Sequence, residues 1–481
     1  MKHPILIILL LLVAVSGRSA TMEDVQDTIA SDSSFLPADS SSLFPDSSFQ
    51  TPRSSHPLLV AAEVAGINGL IMTYNWLFRR DEGFSHVTIN TVQRNLTHKH
   101  WWWDEDYFRT NTLEHPFHGS LFYLTARVGG MSVAESSLYT VGGSWMWEMV
   151  GESEMPSIND MVYTIAGGIA LGEPLYRVAS YLISRTSSHV PRPPLTTHLS
   201  LGYRAFDAHQ MPFVRTASLT WHSEYGDMMG DSHGLFDYFD LNVTANIGSH
   251  QSPFSLAQVD AQLYSHILQD KPLRKVMFGI YNHFDYFCAL PYYNGNEEER
   301  ERNPFVYSEV AAVGPSFAYR LGDRTRLEQQ LSLSAIPMGV VSQLSSTSSP
   351  DAPSSTSHTL RPPHSGSRGY SFGSGYGVRL STRASVRQWL NMRIDTKMSH
   401  LFTWDGFYED SGHRHEGERS VQGERGNAVT FVFAPVVELF PWRHWGISCG
   451  ARYLATHANY HYHPHSTMQA WEWQAGLSWR F

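Results

Sequence analysis

His115 and His118 stand three residues apart in His115-Pro-Phe-His-Gly119, a spacing that sets both imidazoles on one face of a helix start. Glu148, Glu152, Asp160 and Glu173 follow on the neighbouring segments. Imidazoles beside carboxylates can build a metal centre or an acid–base pair. On a regular helix Glu148 and Glu152 share a face, and two carboxyls so placed repel and favour one protonated member, which suits a general acid. The catalytic candidates are therefore His115, His118, Glu148 and Glu173. Each also has a structural account. Glu135 and Asp160 fit capping positions, His115 can cap its own helix, and Arg127 and Arg177 are available to pair with the acids. This stretch holds neither a His-Glu-x-x-His zinc pattern nor a Gly-x-Ser-x-Gly elbow. Polar packing between helices is the default reading, and no metal or cofactor is expected.

The elements that position these residues are helical. Ser120 to Val128 is a helix with Pro116 in its first turn and Gly129-Gly130 at its end. Ser132-Val-Ala-Glu135 reads as a capping box that opens a second helix, carrying Trp145, Trp147, Glu148 and Glu152. Pro156-Ser-Ile-Asn-Asp160 opens a third, expected to kink or restart at Gly172-Glu-Pro174 and to end near Arg185. Ala166, Gly167, Gly168, Ala170 and Gly172 allow close approach of helix backbones. Ahead of them, Leu58 to Phe78 is largely apolar but interrupted by Glu63, Asn68 and Asn75. It reads as a helix against other helices or the bilayer surface, with an inner-membrane anchor as the alternative. Trp101-Trp-Trp-Asp-Glu-Asp-Tyr-Phe108 mixes rings and acids as an interfacial loop does.

Taken together, His115-Pro-x-x-Gly119, Tyr123, Ala126-Arg127, Glu135-Ser136, Gly143-Ser144, Trp147-Glu148, Pro156-Ser-x-Asn-Asp160, Gly167-Gly168 and Gly172-Glu173 form a specific series. It resembles domain-of-unknown-function family 3943, uncharacterised envelope proteins common in the Bacteroidota, over about residues 103 to 184. The resemblance implies an exported envelope protein with a helical region ahead of a sheet. It carries over no activity.

Residues 1–20 have the layout of a secretory signal peptide: Lys2 and His3, an apolar run from Ile5 to Val15, then small residues to Ala20. Residues 21–55 are a Ser, Asp and Pro-rich leader with no hydrophobic period. Only 17% of the 481 residues are charged, against roughly 25% in soluble chains. The net charge of -10, without a basic stripe, argues against nucleic acid as a partner. The two cysteines, Cys288 and Cys449, read as separate small hydrophobes rather than a disulfide.

From Leu195 the pattern changes to alternation. Twelve strand candidates fall near 195–205, 213–223, 236–248, 255–268, 274–286, 305–320, 325–338, 370–385, 389–403, 427–440, 445–458 and 467–481. In the last, Trp471, Trp473, Ala475, Leu477, Trp479 and Phe481 alternate with Glu472, Gln474, Gly476, Ser478 and Arg480. A strand with one oily and one wet face, ringed at both ends, matches the girdle pattern of a membrane barrel, with a soluble sandwich as the alternative. Leu390 to Ser399 places Arg393, Asp395 and Lys397 on one face, which must be the interior, because a charge facing lipid costs roughly 2–4 kcal/mol at the midplane. Long polar links alternate with short ones, as outer loops alternate with periplasmic turns. Two features resist: Glu224 to Leu235 is long for an inner turn, and Pro435 demands a bulge or an edge.

The expected fold is a transmembrane antiparallel up-and-down β-barrel of about twelve strands (191–481), preceded by a small α-helical domain (56–190) at the periplasmic or membrane interface. The expected partners are outer-membrane lipid and, during biogenesis, the barrel-assembly machinery. Three functional classes follow: a structural or lipid-handling envelope component, favoured; a narrow channel plugged by the helices; and a lipid hydrolase or acyltransferase. Alternate histidines His461, His463 and His465, with His413 and His415 in the preceding loop, can capture zinc, although 25 histidines make chance clusters expected.

Overall fold

The computed structural model describes residues 56–480 except 81–82, 98–100, 102, 104–107, 185–194, 209–212, 248–253, 290–304, 323–324, 343–369, 388, 405–424 and 461–464. The signal peptide and leader, and His413, His415, His461 and His463, lie outside the described residues.

Twelve antiparallel strands close into one barrel in chain order, β1 pairing with β12 to complete the ring. They are β1 (Leu195–Ala208), β2 (Val214–Tyr225), β3 (Phe239–Ile247), β4 (Phe254–Lys271), β5 (Arg274–Ala289), β6 (Phe305–Leu321), β7 (Thr325–Ser342), β8 (Tyr370–Val386), β9 (Leu390–Thr403), β10 (Gly426–Leu439), β11 (Trp445–Tyr460) and β12 (Ser466–Arg480). Each lies on its expected segment. Lipid outside and water inside impose opposite demands on neighbouring residues, and the side chains obey. On β12, Trp471, Trp473, Leu477 and Trp479 face outward, whereas Glu472 and Ser478 are buried. On β7, Leu331 and Leu333 are exposed while Gln330 and Ser332 bond inward to Ser316 of β6. Rings recur at two levels of the outer wall: Trp445 stacks on Trp479, and Tyr453 packs on Trp471 eight residues away. Cys288 and Cys449 are both free.

Pro435 needs no bulge. It keeps register with Ile394 of β9, and pairing to β11 lapses only between Phe433↔Tyr453 and Val436↔Gly450. The register shifts lie between β3 and β4 at Thr244/Ala245, in β4 at Gln262/Tyr264 and Ile267/Gln269, in β6 beside Ala311, and in β7 between Ile336 and Gly339. Ala311 adopts the left-handed φ of 54°. An extra residue reverses which face the following side chains take. Hence Val306 and Val310 face out before the β6 bulge, and Val313, Phe317 and Tyr319 after it.

The end of β4, β6, β8 and β10 and the start of β5, β7, β9 and β11 lie at one rim, the short rim, with the start of β1 and the end of β12. The end of β5, β7 and β9 and the start of β6, β8 and β10 lie at the opposite rim. The oversized turn at the short rim, 226–238, is folded onto the barrel. Phe236 N donates to Gln262 O, Ser265 Oγ donates to Gly230 O, and Arg320 pairs with Asp227. Burial raises the Asp227 pKa, but the Arg320 guanidinium outweighs it and holds the carboxyl below its ordinary value.

The helical region comprises α1 (Pro57–Phe78), α2 (Ile89–Thr97), α3 (His115–Val128), α4 (Val133–Met146), α5 (Ile158–Val162) and α6 (Gly168–Ser184). Three π-helical turns, Thr110–Glu114, Trp147–Gly151 and Tyr163–Gly167, adjoin α3, α4 and α6. Ser132 and Glu135 form the expected capping box of α4. α6 continues through Pro174 without restarting. Glycines bring α3 and α6 into backbone contact: a Cβ on Gly119 would sit 1.8 Å from Thr164 O, and one on Gly168 2.6 Å from the Gly119 carbonyl carbon. Gly172 meets Tyr123, so the two helices run in the same direction. α1 runs the other way: Val60 packs near Ala126 and Met131, while Asn68 Nδ2 donates to Gly143 O.

This bundle neither plugs the barrel nor hangs below it. Phe108 stacks on Tyr286, Asn111 donates to the Tyr370 hydroxyl, and Trp103 and Tyr163 pack on Phe372. Tyr286 neighbours Phe287, which stacks on Tyr307 in the lumen, so Tyr286 belongs to the outer wall. The same core takes in Phe239, Leu241, Ala257 and Val259, which alternate with the lumen-lining Asp240, Asn242, Gln258 and Asp260. At the short rim, Arg177 Nη2 donates to Leu235 O. The bundle is therefore fastened to the outside of β3–β8, with α6 running along the wall from one rim towards the other.

Candidate functional site

Two polar clusters lie inside the bundle. The first is centred on Glu173, fully buried on α6. Its Oε2 accepts from Arg127 Nε at 2.8 Å and from Tyr123 Oη at 2.9 Å. Its Oε1 accepts from Arg177 Nε at 2.7 Å and Arg127 Nη2 at 3.2 Å. Arg127 and Arg177 also stack over Tyr176 and Tyr225. Both carboxylate oxygens are committed to neighbours, so Glu173 pins α3 to α6.

The second cluster lies where the three π-turns converge. Such turns often mark functional sites, because the extra residue re-aims side chains. The first π-turn ends immediately before His115, so His115 is interior to a helical run and does not cap it. Its Nε2 faces Asp160 Oδ1 at 3.4 Å and its Nδ1 faces Thr164 Oγ1 at 3.2 Å. Asn159 Nδ2 donates to Asp160 Oδ1 at 2.9 Å, and Ser157 Oγ donates to Asn159 Oδ1 at 2.7 Å. Ser157 N donates to Glu148 Oε2 at 2.7 Å. A continuous polar chain thus runs Glu148–Ser157–Asn159–Asp160–His115–Thr164. Ser157 does cap its helix as expected, through Asp160 N, but the Asp160 carboxyl is turned to His115.

Glu148 Oε1 and His118 Nε2 are buried with no partner among the described residues. His118 lies against Phe122 and edge-on to Trp147. Glu152 is separated from Glu148, because the π-turn ends at Gly151 and Glu152 is extended, accepting instead from Trp147 Nε1. Sequence reasoning brought His115, His118 and Glu148 to one place but missed Thr164. The four-residue step from Asp160 to Thr164 was its only signal. No group of three metal-ligating side chains occurs among the described residues.

The barrel interior is a contrasting polar region. β8 and β9 supply Arg379, Arg383, Arg393 and Lys397, and β3–β6 supply Asp240, Asp260, Asp285 and Glu309. Arg379 bonds both Asp260 and Asp285, and Lys397 reaches Asp285 and Glu309 at 2.7 Å each. Arg383 Nη2 reaches Asp240 at 2.8 Å, and Arg204 pairs with Glu472. The Arg379, Arg383 and Lys397 pairs cross the lumen, whereas Arg204 and Glu472 sit on adjacent strands, and a cavity of about 40 Å³ lies among these side chains. That is room for roughly three waters, at 10–15 Å³ per water-sized sphere.

A closed antiparallel meander with an apolar outer wall and an ionised, filled interior defines a membrane barrel of the outer-membrane type. Residues 100–201 match the family model described as a domain of unknown function, DUF3943, over the helices that carry both clusters. No curated protein matches the sequence. Among solved structures, the NanC porin is 8% identical with a TM-score of 0.24, covering 58% of this chain and 98% of that one. OmpT, an outer membrane protein of Vibrio cholerae, is 5% identical with a TM-score of 0.24, covering 60% and 97%. The transport unit of the autotransporter AIDA-I from Escherichia coli is 10% identical with a TM-score of 0.25, covering 63% and 96%. The chain's own closed strand ladder, rather than these likenesses, defines the class.

Proposed function

We propose that this protein is a structural or lipid-handling component of the outer membrane, in which a sealed barrel holds a helix bundle in the lipid beside it. One observation carries the reading: the bundle is polar within and apolar without. Asn68, Asn75, Arg127, Glu148, Asp160, Glu173 and Arg177 are buried, while Leu58, Leu70, Trp76, Phe78, Leu138, Val141 and Trp145 are exposed. In water that distribution exposes a large apolar surface; in hydrocarbon it is the stable one, because polar groups then find their partners only inside. α1, at 22 residues, spans about 33 Å, close to the roughly 30 Å hydrocarbon core. The start of α1 packs near the α3–α4 turn, on the side of the bundle that faces the short rim, where the barrel also begins and ends. That rim then faces the periplasm.

The ionic crossing of the lumen supports a non-conducting role. In planar bilayers the purified protein is expected to give no conductance steps; stepwise ohmic openings would replace this reading with that of a channel. Photocrosslinkers placed at Leu70 and Leu138 are expected to capture lipid acyl chains, and labelling confined to water-borne quenchers would remove the bundle from the membrane.

A further inference from the structure

We infer that Asp160, His115 and Thr164 form an acid–base–nucleophile relay for transfer of an acyl group from a lipid ester. The inference rests on the proposed position of the bundle in lipid, which makes acyl esters the substrate class at hand. The order of the groups is that of a hydrolytic triad: carboxylate, imidazole, hydroxyl, with the ring held by both nitrogens. Asp160 Oδ1 faces His115 Nε2, which favours the tautomer with its proton on Nε2 and leaves Nδ1 as the acceptor for the Thr164 hydroxyl. The 3.4 and 3.2 Å separations are those of a resting site that tightens on substrate.

A second feature points to a ligand. Glu148 Oε1 and His118 Nε2 are buried without partners among the described residues, next to a chain that is bonded from Glu148 through Ser157 and Asn159 to Asp160. Leaving such atoms unpaired costs roughly 1–3 kcal/mol each. An ester and its product alcohol supply an acceptor and a donor that suit them. The Glu173 cluster, equally buried, has both carboxylate oxygens bonded, although Arg177 Nη1 there has no partner among the described residues.

In the first step Thr164 Oγ1 bonds to the ester carbonyl carbon while its proton passes to His115 Nδ1. The bond from that carbon to the alcohol oxygen then breaks, and the proton moves from Nδ1 to the departing oxygen. Water, or another alcohol in a transferase, repeats the sequence in reverse, delivering its proton to Nδ1 and freeing Thr164.

The test uses the full chain in vesicles of phosphatidylethanolamine bearing a fluorescent acyl chain, read by fatty-acid release and by mass spectrometry of the Thr164 peptide. Wild type is expected to release fatty acid and to carry a transient acyl adduct. Thr164→Val is expected to lose both, Thr164→Ser to retain the adduct, and His115→Gln to slow release at least 100-fold. Folding is checked in each variant by heat-modifiable migration of the barrel and by protease resistance of the bundle. A folded wild type that neither releases fatty acid nor forms an adduct overturns the relay, as does release unchanged in Thr164→Val. Crosslinking of Leu70 and Leu138 to lipid reads the bundle's position separately, so the relay can fail while the membrane assignment stands.

Discussion

The Glu173 cluster and the His115 cluster occupy the same bundle, are similarly buried, and were equal candidates for chemistry. They differ in completion. Around Glu173, two arginines and a tyrosine fill both carboxylate oxygens. Around His115, two flanking residues keep polar atoms without partners. Buried ionisable groups are costly everywhere, so their presence does not separate structure from function; the carboxylates differ instead, since both oxygens of Glu173 are bonded and Glu148 Oε1 is not.

The contrast breaks most visibly at Glu173. Glu173→Ala strands Arg127 and Arg177 and is expected to destabilise the bundle by about 3–5 kcal/mol, seen as rapid proteolysis of the helices with the barrel intact. A loss no larger than that of a His115 variant would erase the distinction. In the lumen, replacing Arg379, Arg383 and Lys397 together by Ala removes three side chains that cross the barrel and is expected to turn a silent protein into a conducting one. Continued silence would show that something other than the ionic lattice seals it. Gly119→Ala drives a methyl against Thr164 O and is expected to cost about 1–3 kcal/mol by denaturant titration while also displacing Thr164 from His115. His115→Asn is expected to be the mildest, about 1 kcal/mol, since it exchanges two hydrogen bonds for others in a site already incompletely paired.

The strands were legible because every second residue answers to a different solvent, and that rule holds from β1 to β12 without reference to partners. The bulges were not. Ala311 carries no turn signature, yet its backbone is left-handed where β6 shifts register against β5. The docking wall was equally hidden. Nothing in the alternation sets Tyr286, Tyr370 and Phe372 apart, since an apolar side chain does not announce whether it meets an acyl chain or Phe108. In the bundle, the capping box and the glycines were read directly, whereas the π-turns that separate Glu148 from Glu152 break the regular spacing on which a shared face had been inferred.

Because α1–α6 cover one side of the cylinder, the protein has a front and a back in the plane of the membrane. The ladder from β9 through β12 and β1 to β2, with Trp445, Trp471, Trp473 and Trp479 on its surface, carries none of the bundle's anchoring contacts, so an arriving neighbour meets either a helical flank or a tryptophan-rich one. Identical copies packed around it therefore meet unlike flanks, and crowding in two dimensions will orient this molecule rather than merely surround it.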